Sequence, residues 1–272
     1  MVLTQDRQFL ERGESYGTPD YNSLVLLERY FEKYSDDADK VVLSIKGGMN
    51  PKTGRPDGSP DNSRRTLDDS LAQLKGRKKL NLFEFARRDP NVPLGTTFGT
   101  MDKEYMQTGK LGGISLSEVR AETIHEAVKI AKISAVEVEL FMFSTEVLEN
   151  GVEAACAQKI DDIPADSMLR RFPRFQPGNF EINLELVAQV EQMAQKKGCT
   201  PAQLAINWVR ALQRRPGMPT IIPIPGATAA ERAAENSLVI DMTDEEMAEI
   251  DATLAKFTTA GERYPAQAAT NT

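Results

Sequence analysis

The 272-residue sequence predicts an α/β fold in which helices cover a parallel sheet, of the (β/α)8 TIM-barrel type. Two observations lead there. Short apolar runs alternate with stretches of helical period along most of the chain, the pattern of repeated β-then-α units with right-handed crossovers. No G-x-G-x-x-G follows any of the apolar runs, which counts against an open dinucleotide-binding sheet and puts the barrel ahead.

The elements follow in order. Leu24 to Tyr34 has apolar residues at helical spacing, and Val41 to Ile45 is a buried-strand run that ends in Lys46-Gly47-Gly48. A loop rich in Pro, Gly and Asp leads to Ser59-Pro60, an N-cap followed by proline at the first helical position. Leu80 to Ala86 is the next expected strand, then a helix around Phe98 to Thr108 and a short strand from Leu111 to Leu116. Ser117 is expected to cap the helix that carries His125. Ser134 to Phe141 alternates Val and Glu, a strand whose polar side cannot face a dry core. A short helix is expected from Glu149 to about Gln158, followed by an irregular stretch. Helices are expected at Leu184 to Lys197 and Pro201 to Leu212, the second opened by the Thr200 to Gln203 capping box. Thr220 to Pro225 is expected as a strand, and Thr228 to Glu231 and Thr243 to Glu246 are further capping boxes. Residues 1–257 are expected to form a single domain, with 258–272 as a flexible tail.

Composition excludes several classes of function. Hydrophobic residues make up 40% and charged residues 27%, and no run approaches the length of a membrane span. The N-terminus carries charges throughout and has no secretory apolar core, so a cytoplasmic protein without a membrane is expected. The net charge of -7 argues against nucleic acid as a partner. Two cysteines and one histidine offer neither a disulfide framework nor a metal cage of the usual kind, so no metal is expected.

The residues around Tyr16 point further. Glu14-Ser15-Tyr16-Gly17 is similar to the E-x-Y-G segment of the aldo-keto reductases, at the end of their second barrel strand. Ile45-Lys46-Gly47-Gly48 resembles the end of the third strand, where that family carries a catalytic lysine. Gly109 to Ser115 is similar to the family's G-K-I-R-x-x-G-x-S, and Ile222 to Gly226 with Glu231-Arg232 and Glu235-Asn236 resembles its cofactor-binding segment. The order matches across nearly the whole chain. The loop Asn50 to Pro60 and the run Glu84 to Pro90 look most like the pyridoxal reductase branch.

The resemblance implies an NADPH-dependent reduction of a small carbonyl substrate, pyridoxal to pyridoxine in that branch. Tyr16 is then the proton donor, Lys46 lowers its pKa, and Glu11, where the family has an aspartate, orients Lys46. Ser115 and Glu137 correspond to residues that hold the nicotinamide of NADP(H), and Gly226, Thr228, Arg232 and Asn236 to those at the phosphate and adenine end. Taken singly, Tyr16 reads as a rim tyrosine, Lys46 as a lysine with its head in water, and Arg232 as a helix-surface arginine. The sequence also departs from the family. Only 13 residues precede Glu14, so the family's first strand is expected to be absent; MVLTQDRQFLER is not a clean strand sequence, and the family histidine falls at Ala86. The strand expected after Gln158 is missing too, so the barrel is expected to be incomplete. A second reading is therefore a non-catalytic binding protein of the same descent, or a truncated gene product.

Overall fold

The computed structural model describes residues 2–3, 8–14, 16–18, 20–140, 142, 172–227 and 229–262. The chain divides into two compact units, one holding the chain up to Val138 and the other beginning at Glu139.

The first unit is built on a six-stranded sheet. Its strands are β1 (Val2–Leu3), β2 (Gln8–Gly13), β5 (Val41–Gly47), β6 (Leu82–Phe85), β7 (Ile114–Ser117) and β8 (Ile133–Glu137), in the order β1-β2-β5-β6-β7-β8. β2, β5, β6, β7 and β8 run parallel to their neighbours, and β1 lies antiparallel on β2. β3 (Gly17–Thr18) and β4 (Tyr21–Asn22) form a separate small hairpin.

Side chains alternate across this sheet, as the pleat requires. Leu43, Ile45, Phe83, Phe85, Ile114 and Leu116 belong to the buried apolar core. That core is completed by Leu24, Leu27 and Phe31 of α1 (Ser23–Lys33), Leu67 and Leu74 of α2 (Pro60–Leu74) and Phe98 and Met101 of α3 (Leu94–Met101). The intervening positions are Glu11 and Gly13 on β2, Ser44 and Lys46 on β5, Glu84 on β6, Ser115 and Ser117 on β7, and Glu137 on β8.

Local chemistry sets the helix starts. Asn22 caps α1 by accepting from Val25 N at 3.0 Å, and Ser59 caps α2 with Pro60 behind it. The helix expected at Phe98 to Thr108 begins earlier, at Leu94, and passes into a single π turn at Asp102–Met106. Ser117 does not cap α4 (Ala121–Ala127); it is the buried last residue of β7, and Arg120 stands at the N-cap. MVLTQDRQFLER does contribute a strand. Gln8–Gly13 pairs in register with Val41 to Lys46, with Leu10 packed on the core and Glu11 on the polar face. Its charges look wrong for a strand only if both faces are assumed to be dry.

Among its described residues the second unit is helical: α5 (Asn179–Lys197), α6 (Pro201–Ala211), α7 (Ala230–Asn236) and α8 (Asp244–Leu254). Leu186, Val190, Leu204, Trp208, Met242 and Ile250 form its core. The capping boxes at Thr200 and Thr243 are present. Thr220 to Pro225 is not a strand. Pro223 and Pro225 lack N–H groups, so every second residue there is unable to donate to a ladder. The tail expected to fray from Thr258 is tied down as far as Gly261: Asn183 bonds Ala260 through both its amide atoms, and Arg174 Nε donates to Gly261 O at 3.1 Å. The expected helix at Glu149 to Gln158 lies outside the described residues.

Candidate active site

β5 delivers Lys46 to the polar face near its carboxyl end, the end where parallel βα barrels carry their chemistry. The two glycines that follow are required there. A Cβ on Gly47 would lie 2.6 Å from Thr66 Oγ1, and one on Gly48 only 2.0 Å from Phe85 Cδ1, with Gly48 at φ +81° as well. Glu14 fixes this corner. Its N–H donates to Lys46 O at 2.8 Å, and its carboxylate accepts from Gly48 N, Thr66 Oγ1 and Arg65. The loop beyond Gly48 closes on itself, with Asn50 N bonded to Arg55 O at 2.8 Å and Asp57 N to Gly48 O at 3.1 Å.

The Lys46 ammonium stands among three carboxylates. It donates to Glu137 Oε1, lies 3.4 Å from Glu84 Oε1 and lies 4.0 Å from Glu11 Oε1. Oxygens of the three glutamates fall within 4.8 Å of one another. Such a trio could ligate a hard divalent cation, but the cation at its centre is the lysine. Burial alone would push Lys46 down; Glu84, Glu137 and Glu11 together outweigh it and raise its pKa. Burial raises Glu84 well above the ordinary carboxylate range, aided by the Glu137 charge and opposed by Lys46. Glu11 is raised as well, by burial first, with Lys46 pulling the other way.

Tyr16 sits at the rim, 49% exposed, just beyond β2. Its ring rests on Gly13, where a Cβ would come within 2.7 Å of Tyr16 Cε1, and its backbone is held by Tyr16 N to Gly13 O and Ser23 N to Tyr16 O. Lys46 draws the phenol pKa down as expected. Partial burial and the Glu11 charge draw it up more strongly, so the net direction is above the ordinary value. The expected net lowering of the Tyr16 pKa by Lys46 therefore does not hold here, because burial first and the neighbouring carboxylates second outweigh the pull of Lys46.

The structure thus brings Glu11, Lys46 and Glu137 together, with Tyr16 within electrostatic reach of all three. Glu137 contacts Lys46 directly, a partnership that its reading as a nicotinamide contact did not include. Ser115 is buried beside Glu84 in the β6–β7 register, and its Oγ has no hydrogen-bond partner among the described residues. An orphaned buried hydroxyl there fits a ligand amide. Glu84 joins the site although its sequence context singles out nothing beyond a lone carboxylate between Phe83 and Phe85. Ala86 fills the histidine position, and the NH1 and NH2 groups of nearby Arg88 face Thr123 and Glu126.

In the second unit, Asn236 Nδ2 donates to Gly226 O at 3.1 Å, so these two expected phosphate-end residues are adjacent. Arg232 is exposed and paired with Glu235 at 3.2 Å. Thr228 lies outside the described residues.

The sequence model of the Aldo/keto reductase family matches residues 7–255. The chain belongs to the aldo/keto reductase family. Among its relatives is "Probable pyridoxal reductase 2" of Schizosaccharomyces pombe, 36% identical over 294 residues, covering 98% of this chain and 87% of the relative. That aligned span exceeds the 272 residues of the chain, so the relative carries segments that this aldo/keto reductase lacks. Two solved structures share the fold. An aldo-keto reductase from Klebsiella pneumoniae in complex with NADPH superposes with TM-score 0.63 at 20% identity, covering 95% of this chain and 83% of that one. A thermostable aldo-keto reductase in complex with the inhibitor epalrestat gives TM-score 0.62 at 19% identity, covering 89% and 81%. The fold class is therefore α/β with a parallel sheet, of the (β/α)8-barrel kind. Among the described residues no helix is long and apolar enough to cross a membrane.

Proposed function

We propose that this chain is an NADPH-dependent carbonyl reductase whose substrate is pyridoxal, reduced to pyridoxine. The observation that carries the reading is the Lys46 ammonium held among Glu11, Glu84 and Glu137 beside Tyr16. The S. pombe relative, by its name, supports the substrate, and the bound NADPH of the K. pneumoniae structure supports the cofactor.

NADPH, when bound, supplies the hydride that reaches the carbonyl carbon. The chain supplies the rest. Ser115 Oγ and the Glu137 carboxylate would hold the nicotinamide carboxamide; a carboxylate that already accepts from Lys46 keeps further lone pairs for an amide N–H. By the family resemblance, Gly226, Thr228, Arg232 and Asn236 would hold the phosphate and adenine end, the Arg232 guanidinium being suited to the 2′-phosphate. Tyr16 O–H donates to the carbonyl oxygen, its proton passing to the oxygen as the carbon is reduced. Lys46 stabilises the phenolate left behind, and Glu11 keeps the ammonium in place. Half exposed, Tyr16 regains its proton from water. Tyr16 stays protonated through neutral pH, the form that reduction needs, and its raised pKa makes Lys46 necessary to stabilise the phenolate.

The test is consumption of NADPH by the purified full chain with pyridoxal, alongside a cofactor titration followed by quenching of Trp208. Turnover that is lost in Tyr16→Phe supports the reading. Binding without turnover would instead favour a non-catalytic binding protein of the same family, and no binding at millimolar NADPH would sink both.

A further inference from the structure

The charge count at Lys46 does not balance. Glu11 on β2, Glu84 on β6 and Glu137 on β8 surround one ammonium, with Tyr16 and Ser115 as the neutral groups nearby and Arg12 acting on Glu11 from the same strand. If all three were ionised, two negative charges would stand uncompensated in a site largely withdrawn from water. Carboxylates this close do not all ionise; one keeps a proton. Position decides which. Glu84 is 1% exposed, against 15% for the side chain of Glu11 and 24% for that of Glu137. It lies mid-strand, between Lys46 on one register neighbour and Ser115 on the other. Its Oε1 is buried without a hydrogen-bond partner among the described residues, and carboxylate oxygens of Glu11 and Glu137 lie within 4.8 Å of its own. An oxygen so placed is satisfied more cheaply as a neutral acid than as an unpaired buried anion.

We propose that Glu84 is a neutral carboxylic acid at neutral pH and is the positioning residue that lets Lys46 serve Glu11 and Glu137. The direction of its pKa agrees: burial and the Glu137 charge raise it against the pull of Lys46. Ionisation of Glu84 at higher pH adds a negative charge beside Tyr16 and makes that phenol a weaker acid, so turnover falls.

Only the kinetic arm of the test rests on the reductase reading. Infrared spectra of the full chain in D2O, without cofactor, report the carbonyl stretch of a protonated carboxyl group. The wild type retains this band at pH 7, and the wild-type minus Glu84→Gln difference spectrum isolates it. Glu137→Gln, which removes the neighbouring charge and keeps the shape, shifts the titration of the band to lower pH. In turnover of NADPH with pyridoxal, the alkaline fall in kcat begins at lower pH in the wild type than in Glu84→Gln, where only the fall from Tyr16 itself remains, with KM unchanged. A difference spectrum with no such band at pH 7, or a band whose titration ignores Glu137→Gln, overturns the assignment. The expected band in a protein that turns over no NADPH leaves Glu84 as assigned and removes the reductase reading alone.

Discussion

The two faces of the parallel sheet in the first unit are made by the same strands and obey opposite chemistry. Phe83 and Phe85 of β6 enter an apolar core with Leu43, Ile45, Ile114 and Leu116, while Glu84 between them enters a cluster of three carboxylates and one ammonium. The apolar face is stabilised by area removed from water, a term that is non-directional and insensitive to pH. The polar face holds together only while its charges are matched, which makes it directional and tied to proton uptake. One strand can serve both because its side chains alternate.

The sharpest way to separate the faces is to remove the cation. Lys46→Met leaves buried carboxylates without their partner, and we expect a loss of about 3–5 kcal/mol at pH 7 by urea unfolding. Glu84 and Glu11 have raised pKa values in the folded chain, so their contribution to stability is present at low pH and is lost as pH rises through the folded value. The loss in Lys46→Met therefore shrinks at pH 5. Equal losses at both pH values would erase the distinction between the faces.

Phe83→Ala, on the other face, is expected to cost about 3–5 kcal/mol. It does so equally at pH 5 and pH 7, since no titrating group is involved. Glu84→Gln is a smaller and more pointed change. Relative to the wild type it gains stability as pH rises above about 5, on the order of 1 kcal/mol per pH unit at most, because an acid that resists ionisation has been removed. At the rim, Tyr16→Phe stays within about 0.5 kcal/mol of the wild type in stability. The same variant loses roughly 100-fold or more of NADPH turnover with pyridoxal. A Tyr16→Phe protein that is both stable and active would move the chemistry away from this tyrosine.

The apolar face was legible in the sequence and the polar face was not, for a physical reason. Val41 to Ile45 and Leu80 to Ala86 announce strands because burial selects apolar side chains whatever lies beyond them. The role of a charged residue depends on which charges other strands bring to it, and register carries that information. The family resemblance marks Glu137 as a nicotinamide contact, yet its hydrogen-bond partner in the structure is Lys46, a residue 91 positions away in the chain. Glu84 looked like an ordinary alternating residue until Lys46 stood beside it. Ser117 had the right chemistry for a cap and was drawn instead into β7 by its pairing opposite Glu137. The run Thr220 to Pro225 had the hydropathy of a strand and lacked its donors.

The corner at Gly48 separates two jobs that enzymes often entangle. Glu14, Thr66 and Arg65 grip the chain where Lys46 emerges, and the loop beyond Gly48 fastens to itself through Asn50, Arg55 and Asp57. Residues 51–54 are therefore a detachable tip: exposed, bounded by its own closure, and outside the grip on the lysine. Descendants of this chain can rewrite that tip, or an engineer can graft another in its place, while the reacting end keeps its geometry.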